Sequence, residues 1–195
     1  LASPMQLAVM TARIANGRSV TPRLVKSING VEQPSGAGEM IGLTPSYLDH
    51  VRKAMYAVSN DRRGTGYRSR IIADGMRMAG KSGTSQVRNI TAAERATGVI
   101  HNRDLPWERR DHALYVCFAP YDKPKYAVAV VVEHGGGGSS TAAPVARDVL
   151  LQALYGGTPP LEVYPTGDRR KIKAQQERLE RERIKRSDGK ESDQA

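Results

Sequence analysis

Lys81-Ser82-Gly83-Thr84 puts a cation, two hydroxyls and a glycine within four residues. The surrounding stretch, Met76 to Val87, reads as a β-strand. Side chains alternate on a strand, so Lys81 and Gly83 point to one face and Ser82 and Thr84 to the other. Gly83 lets another backbone or a ligand come close. An exposed strand edge here offers backbone N–H groups to an oxyanion, and Lys81 adds a positive field. Such a set could hold an anionic group such as a carboxylate and stabilise an oxyanion beside it. Taken alone, the tetrapeptide reads more simply as a strand end with a solvated lysine.

Other patterns compete. Gly75-Met76-Arg77-Met78-Ala79-Gly80-Lys81-Ser82 satisfies the phosphate-loop pattern G-x-x-x-x-G-K-[ST], with Glu133 after Val130-Val131-Val132 as a possible magnesium-positioning acid. A phosphate loop needs a helix opening at Ser82. Gly83 to Val87 reads as strand instead, and Met-Arg-Met is bulky for a loop that wraps phosphates. A nucleotide hydrolase therefore ranks second. Ser187-Asp188-Gly189-Lys190 fits S-x-x-K in the polar tail, and Ser27-Ile28-Asn29 fits S-x-N at a strand-loop junction. Neither has the neighbours that would orient it, so both read as chance. His50, His101, His112 and His134 lack metal-ligand spacing, and solvated or hydrogen-bonded rings are expected. Gly135 to Gly138 reads as a flexible turn. Cys117, the single cysteine, lies in a buried-strand pattern and reads as a small core residue.

The elements that position the motif follow from caps and periodicity. Ser3-Pro4 opens a helix with Leu7, Met10, Thr11 and Ile14 on one face, stopped by Asn16-Gly17. Val20 to Ile28 reads as extended, and residues 29–42 as loop with possible short strand. Thr44-Pro45 opens a second helix, ending near Ser59-Asn60. Residues 61–66 form a loop, with a short helical turn over Tyr67 to Ile72. Residues 88–110 are a long polar stretch, partly helical, of the length that is usually functional or disordered. His112 to Ala119 and Tyr126 to Glu133 read as strands of an antiparallel hairpin. A helix spans about Thr141 to Tyr155, with Pro144 in its first turn. Gly156-Gly157-Thr158-Pro159-Pro160 ends the body, so the expected division is residues 1–160 and a tail, 161–195. Residues 168–186 read as a solvated or frayed helix leading to a disordered end, because Ile172, Leu179 and Ile184 are too few for a buried face.

The formal net charge is +10, most of it in the body, and aromatic residues are only 5%. With no basic-aromatic RNA-binding motif, nucleic acid is not an expected partner; an anionic cell-wall substrate or a membrane surface suits the charge. No apolar run is long enough to span a bilayer. The chain opens at Leu1 without a signal peptide, and an upstream portion of a longer protein is expected.

Several segments together resemble the class B penicillin-binding proteins. Ser3-Pro4-Met5-Gln6-Leu7-Ala8 with Ile14-Ala15-Asn16-Gly17 is similar to the helix before that family's last strands. Ala79 to Val87 resembles its Lys-Thr/Ser-Gly strand. Asp111-His112-Ala113-Leu114, Phe118-Ala119-Pro120-Tyr121 and Ala127-Val128-Ala129-Val130 resemble the two strands after it. Glu133-His134-Gly135-Gly136 and Ala143-Pro144-Val145-Ala146-Arg147 resemble the closing turn and helix. The resemblance covers residues 1 to about 156 and leaves the charged tail outside.

It implies an α+β fold, an antiparallel sheet covered by helices, forming the C-terminal part of the β-lactamase/transpeptidase-like fold. It implies peptidoglycan cross-linking by serine acyl transfer from D-Ala-D-Ala stem peptides, with β-lactams as mimics. It carries roles to four residues: Lys81 supplies positive charge, Ser82 and Thr84 bind the terminal carboxylate, the Thr84 N–H is half of the oxyanion hole, and Gly83 keeps the edge unobstructed. No metal or organic cofactor is implied. A membrane glycosyltransferase and other elongation-complex proteins are implied partners, on the periplasmic side of an inner membrane. The family's Ser-x-x-Lys and Ser-x-Asn do not occur at matching positions. The chain is therefore expected to need the remainder of its transpeptidase domain and to be inactive alone. A non-catalytic module that keeps the fold is the third reading.

Overall fold

The computed structural model describes residues 2–33 and 38–192, with side chains to Arg186. The first helix, α1, runs Pro4–Asn16. Its start is a capping box: the Gln6 N–H donates to Ser3 Oγ at 3.2 Å and the Ser3 N–H to Gln6 Oε1 at 2.7 Å. Gly17 closes it in the left-handed region, φ 71°. The extended stretch expected over Val20 to Ile28 shrinks to β1 (Ser27–Ile28), and a short strand within residues 29–42, β2 (Val31–Glu32), pairs with it. Asn29 and Gly30 both take positive φ between them, as a tight hairpin turn requires. Residues 34–37, within the expected 29–42 loop, lie outside the described residues.

α2 spans Pro45–Asn60, and Thr44 makes no side-chain cap bond despite its position. The motif strand, β3, is Ala79–Ser85, shorter than expected because residues 73–76 turn back, the Met76 N–H donating to Ala73 O. The polar stretch after it holds α3 (Ala92–Thr97) and single turns at Asn102–Asp104 and Trp107–Arg109. β4 is His112–Ala119 and β5 is Tyr126–Val132. A π-turn, Gly138–Ala142, precedes α4, Ala143–Tyr155. α5 runs Arg169–Ser192.

The sheet is an antiparallel meander in the order β3-β4-β5, so the motif lies on an edge strand. The expected α+β architecture, helices over an antiparallel sheet, is what forms. On one face Phe118 and Ala79 pack with Ala15 of α1 and Met55 of α2. On the other, Ala113, Tyr115, Cys117 and Ala119 pack against Ala142, Ala143, Ala146, Leu150 and Leu151. Alternation along β4 sorts these residues to opposite faces. The alanines on both sides of the second layer let α4 approach the sheet closely.

Burial continues past residue 160. Val163, Tyr164 and Ile172 join the same core layer, and Ile172 is 6% exposed. Beyond it α5 is polar on all sides to Arg186, apart from exposed Leu179 and Ile184. One buried charge fixes the junction: Arg147 donates to Asp148 at 2.8 Å and to Asp168 at 2.6 Å, just before α5. Among the described residues no helix is long and apolar enough to cross a membrane.

Candidate active site

β3 pairs with β4 along its whole length, Ala79 opposite Phe118 through Ser85 opposite His112. Its other edge has no partner strand among the described residues. Lys81 is exposed, and its Nζ donates to the Ser82 carbonyl at 2.8 Å. Thr84 and Ser85 are exposed, while Ser82 and Gly83 are half-buried. The Ser82 hydroxyl lies 3.1 Å from the Thr65 hydroxyl. Gly83 faces Leu114 across the ladder, and Gly138 backs onto both. A Cβ on Gly138 would stand 2.2 Å from Leu114 O and 2.4 Å from Gly83 O, so only glycine lets the π-turn press on the motif here.

Beneath the strand lies Tyr115, directly opposite Ser82 and fully buried. Its hydroxyl shares a 3.0 Å hydrogen bond with Ser59 of α2. Burial pushes its pKa up to about 12, so it stays neutral. A Cβ on Gly80 would meet the Tyr115 ring at 2.6 Å, and one on Gly66 the hydroxyl at 2.4 Å. Asn60, the last residue of α2, donates to Met78 O at 2.9 Å, just before the motif. α2 and its following loop thus clamp the strand. Sequence reasoning did not single out Ser59, Asn60, Thr65 or Tyr115. The one local signal was the pair of glycines flanking Thr65, with no indication of what they pack against.

Lys81 also borders an open groove of about 410 Å³ between α1, α2 and the sheet. Its other walls include Met10, Ile14, Val51, Met55 and Val116, and they are almost wholly apolar. A larger cleft of about 540 Å³, between the end of α4 and α5, borders none of residues 81–84.

Residues 88–110 are ordered by a clasp. Arg88 donates to both Glu94 oxygens at 2.6 and 2.5 Å, and the Ile100 N–H donates to Glu94 at 3.2 Å. Both side chains are largely covered, at 12% and 16% exposed. The Arg88 hydrogen bonds hold the Glu94 carboxyl down to about 2, from an ordinary 4.5. A depressed folded pKa stabilises fully above the unfolded value and loses that stabilisation as pH falls through the folded one. This segment is therefore expected to loosen between about pH 4.5 and 2. Trp107, the single tryptophan, sits in the segment with its ring 4.4 Å from that of His134, so its emission should report the loosening. In Glu94→Gln the emission should show no such transition; an unchanged one would place its cause elsewhere.

His112 and His134, 22 residues apart, meet here: the His134 N–H donates to His112 Nδ1 at 2.9 Å. They are hydrogen-bonded as expected, at the Ser85 end of β3. Among the described residues no three His, Cys, Asp or Glu group to hold a metal ion. Cys117 is fully buried and its thiol pKa is pushed up, so it is a core residue rather than a nucleophile. The phosphate-loop reading fails on backbone: Ser82 is mid-strand, and no helix opens there. Ser27 lies on the small hairpin, away from the motif sheet. The Ser187 and Lys190 side chains lie outside the described residues.

An edge strand with a cation, two hydroxyls and a glycine can hold an anionic, extended ligand. The pattern of the penicillin binding protein transpeptidase domain matches residues 1–151. A peptidoglycan D,D-transpeptidase MrdA of Haemophilus influenzae is 37% identical over 169 residues, covering 84% of this chain and 25% of the relative. A complex of penicillin-binding protein PBP2 and MreC from Helicobacter pylori superposes with TM-score 0.60 at 32% identity, over 80% of this chain and 25% of that one. Pseudomonas aeruginosa PBP2 in complex with WCK 5153 gives 0.59 at 35%, over 78% and 30%. The chain thus spans about a quarter of the curated relative it matches.

Proposed function

Because this chain belongs to the penicillin binding protein transpeptidase domain family, we propose that it is the substrate-gripping C-terminal part of a peptidoglycan D,D-transpeptidase. The observation that carries this reading is Lys81-Ser82-Gly83-Thr84 on an open edge strand beside an unfilled apolar groove. A stem peptide ending in D-Ala-D-Ala would lie along β3. Ser82 and Thr84 would hydrogen-bond its terminal carboxylate, and Lys81 would supply the countercharge. The serine nucleophile, from the rest of the domain, would attack the D-Ala-D-Ala carbonyl and place negative charge on its oxygen. The Thr84 N–H would stabilise that oxyanion, and Gly83 would keep the approach clear. D-alanine would leave, and the amine of a second strand would then take the acyl group from the serine ester. A β-lactam would acylate the same serine.

The groove beside Lys81 fits the missing part of the domain. An apolar segment laid against Met10, Val51 and Val116 would bring a nucleophile close to Lys81. Without it the chain would be inactive. The parent would work on the periplasmic face of the inner membrane, with a membrane glycosyltransferase and an elongation-complex protein like the MreC bound by the Helicobacter pylori relative. The stretch docked through Ile172 would belong with residues 1–160 to the domain part, and the charged remainder of α5 would be its tail.

The test is covalent labelling with a fluorescent penicillin. The full-length parent is expected to take one label per chain, and residues 1–195 alone none. A parent that contains a serine nucleophile yet takes no label would overturn this reading.

A further inference from the structure

We infer that Thr65 is a positioning residue that aims the Ser82 hydroxyl at the substrate carboxylate; the inference rests on the transpeptidase reading. The two hydroxyl oxygens lie 3.1 Å apart, although the residues are 17 apart in sequence. The loop that carries Thr65 is held in place. The Arg63 N–H donates to Asp61 Oδ1 at 2.8 Å, and the Gly64 and Gly66 N–H groups donate to Asp61 O and Val58 O at 2.9 Å. A Cβ on Gly64 would stand 2.2 Å from Val58 O, and one on Gly66 2.4 Å from the Tyr115 hydroxyl. Both neighbours of Thr65 therefore lie flush against packed atoms. Tyr115 also faces Ser82 across the ladder, so loop and motif rest on the same side chain. Their spacing is set by one rigid ring.

Hydroxyl chemistry gives the pair a direction. Each hydroxyl has one proton to donate and lone pairs to accept with. A carboxylate only accepts, so Ser82 must give it its proton. Ser82 Oγ is then left as acceptor for the Thr65 O–H. Thr65 to Ser82 to carboxylate is a chain with all donors aligned, and each bond polarises the next. Without Thr65, Ser82 is free to turn among its staggered rotamers, and only one points at the ligand.

Thr65 is exposed, so the isosteric Thr65→Val removes the hydroxyl without opening the core. In the full-length parent it should lower the second-order rate constant for acylation by a fluorescent penicillin about fivefold to tenfold. The loss should fall in the concentration dependence and leave the limiting rate and the thermal midpoint unchanged. Thr65→Ser should restore the wild-type constant. In a Ser82→Ala background, Thr65→Val should cost nothing further. The inference is overturned if Thr65→Val acylates like the unmutated parent, or loses as much with Ser82 absent. A parent that takes no label at all refutes the transpeptidase reading itself and the inference with it, which distinguishes the two failures.

Discussion

Lys81→Ala in the full-length parent is expected to slow acylation by penicillin about 10²- to 10³-fold while leaving the fold intact. Removal of one group that stabilises a developing oxyanion costs about this much, and Lys81 supplies a positive field to it as well as the countercharge to the carboxylate. Lys81 makes one local contact, from its Nζ to the Ser82 carbonyl, and its side chain is exposed. Its removal therefore costs the core almost nothing, and the thermal midpoint should not move. The loss should appear in the limiting rate as well as in ligand affinity, because a cation favours the bound carboxylate and the oxyanion alike. Lys81→Arg should recover little. A guanidinium is planar and spreads its charge over a fork, whereas the compact ammonium here sits between strand and groove. Stopped-flow labelling over a range of penicillin concentrations separates the two effects. Wild-type acylation by Lys81→Ala would remove the motif from the chemistry.

Arg147→Ala is expected to cost about 3 kcal/mol of stability, the low end for breaking a buried ion pair. Arg147 is 2% exposed, with Asp148 and Asp168 at 2.8 and 2.6 Å and its guanidinium carbon 5.0 Å from the Tyr164 ring centroid. Burial pulls its pKa down, but the two carboxylates outweigh it, and the net shift is upward. The charge therefore stays on. Asp148 and Asp168 are 34% and 41% exposed, so water can solvate them once the partner is gone, which limits the loss. At about 2–4 °C per kcal/mol for a domain of this size, the melting midpoint should fall by about 6–12 °C. Arg147→Met, which refills the volume with apolar atoms, should recover part of it. Asp168→Asn should cost less than the alanine variant, because it removes only the outer partner. A shift under 2 °C for Arg147→Ala would show that the Arg147 cluster does not anchor α4 to the segment leading into α5.

The lines along which this chain folds were partly written in short stretches. Ser3, Pro4 and Gly17 mark α1 to the residue, because a cap is a bond between positions three or four apart. The β4–β5 hairpin reads directly from its run of β-branched residues and the Pro120 to Pro124 turn. The boundary placed at residue 160 shows the limit of composition. Gly156 to Pro160 looks like an end, yet Val163, Tyr164 and Ile172 return to the core. A single docked isoleucine in a charged helix leaves no periodic trace, so the tail read as free from its start.

The site divides in the same way. By itself the sequence determined Lys81-Ser82-Gly83-Thr84, its strand, its edge character through the flanking hairpin, and the family. It did so because alternation, caps and motif spacing are properties of neighbours along the chain. Only the tertiary structure decided that Thr65 meets Ser82 and that Tyr115 supports both Gly66 and Gly80. Only it joined His112 to His134 and left an apolar groove beside Lys81. Those contacts join residues 17 to 56 apart in most cases. They depend on the path of the whole chain through the core, which no local pattern of polar and apolar residues records.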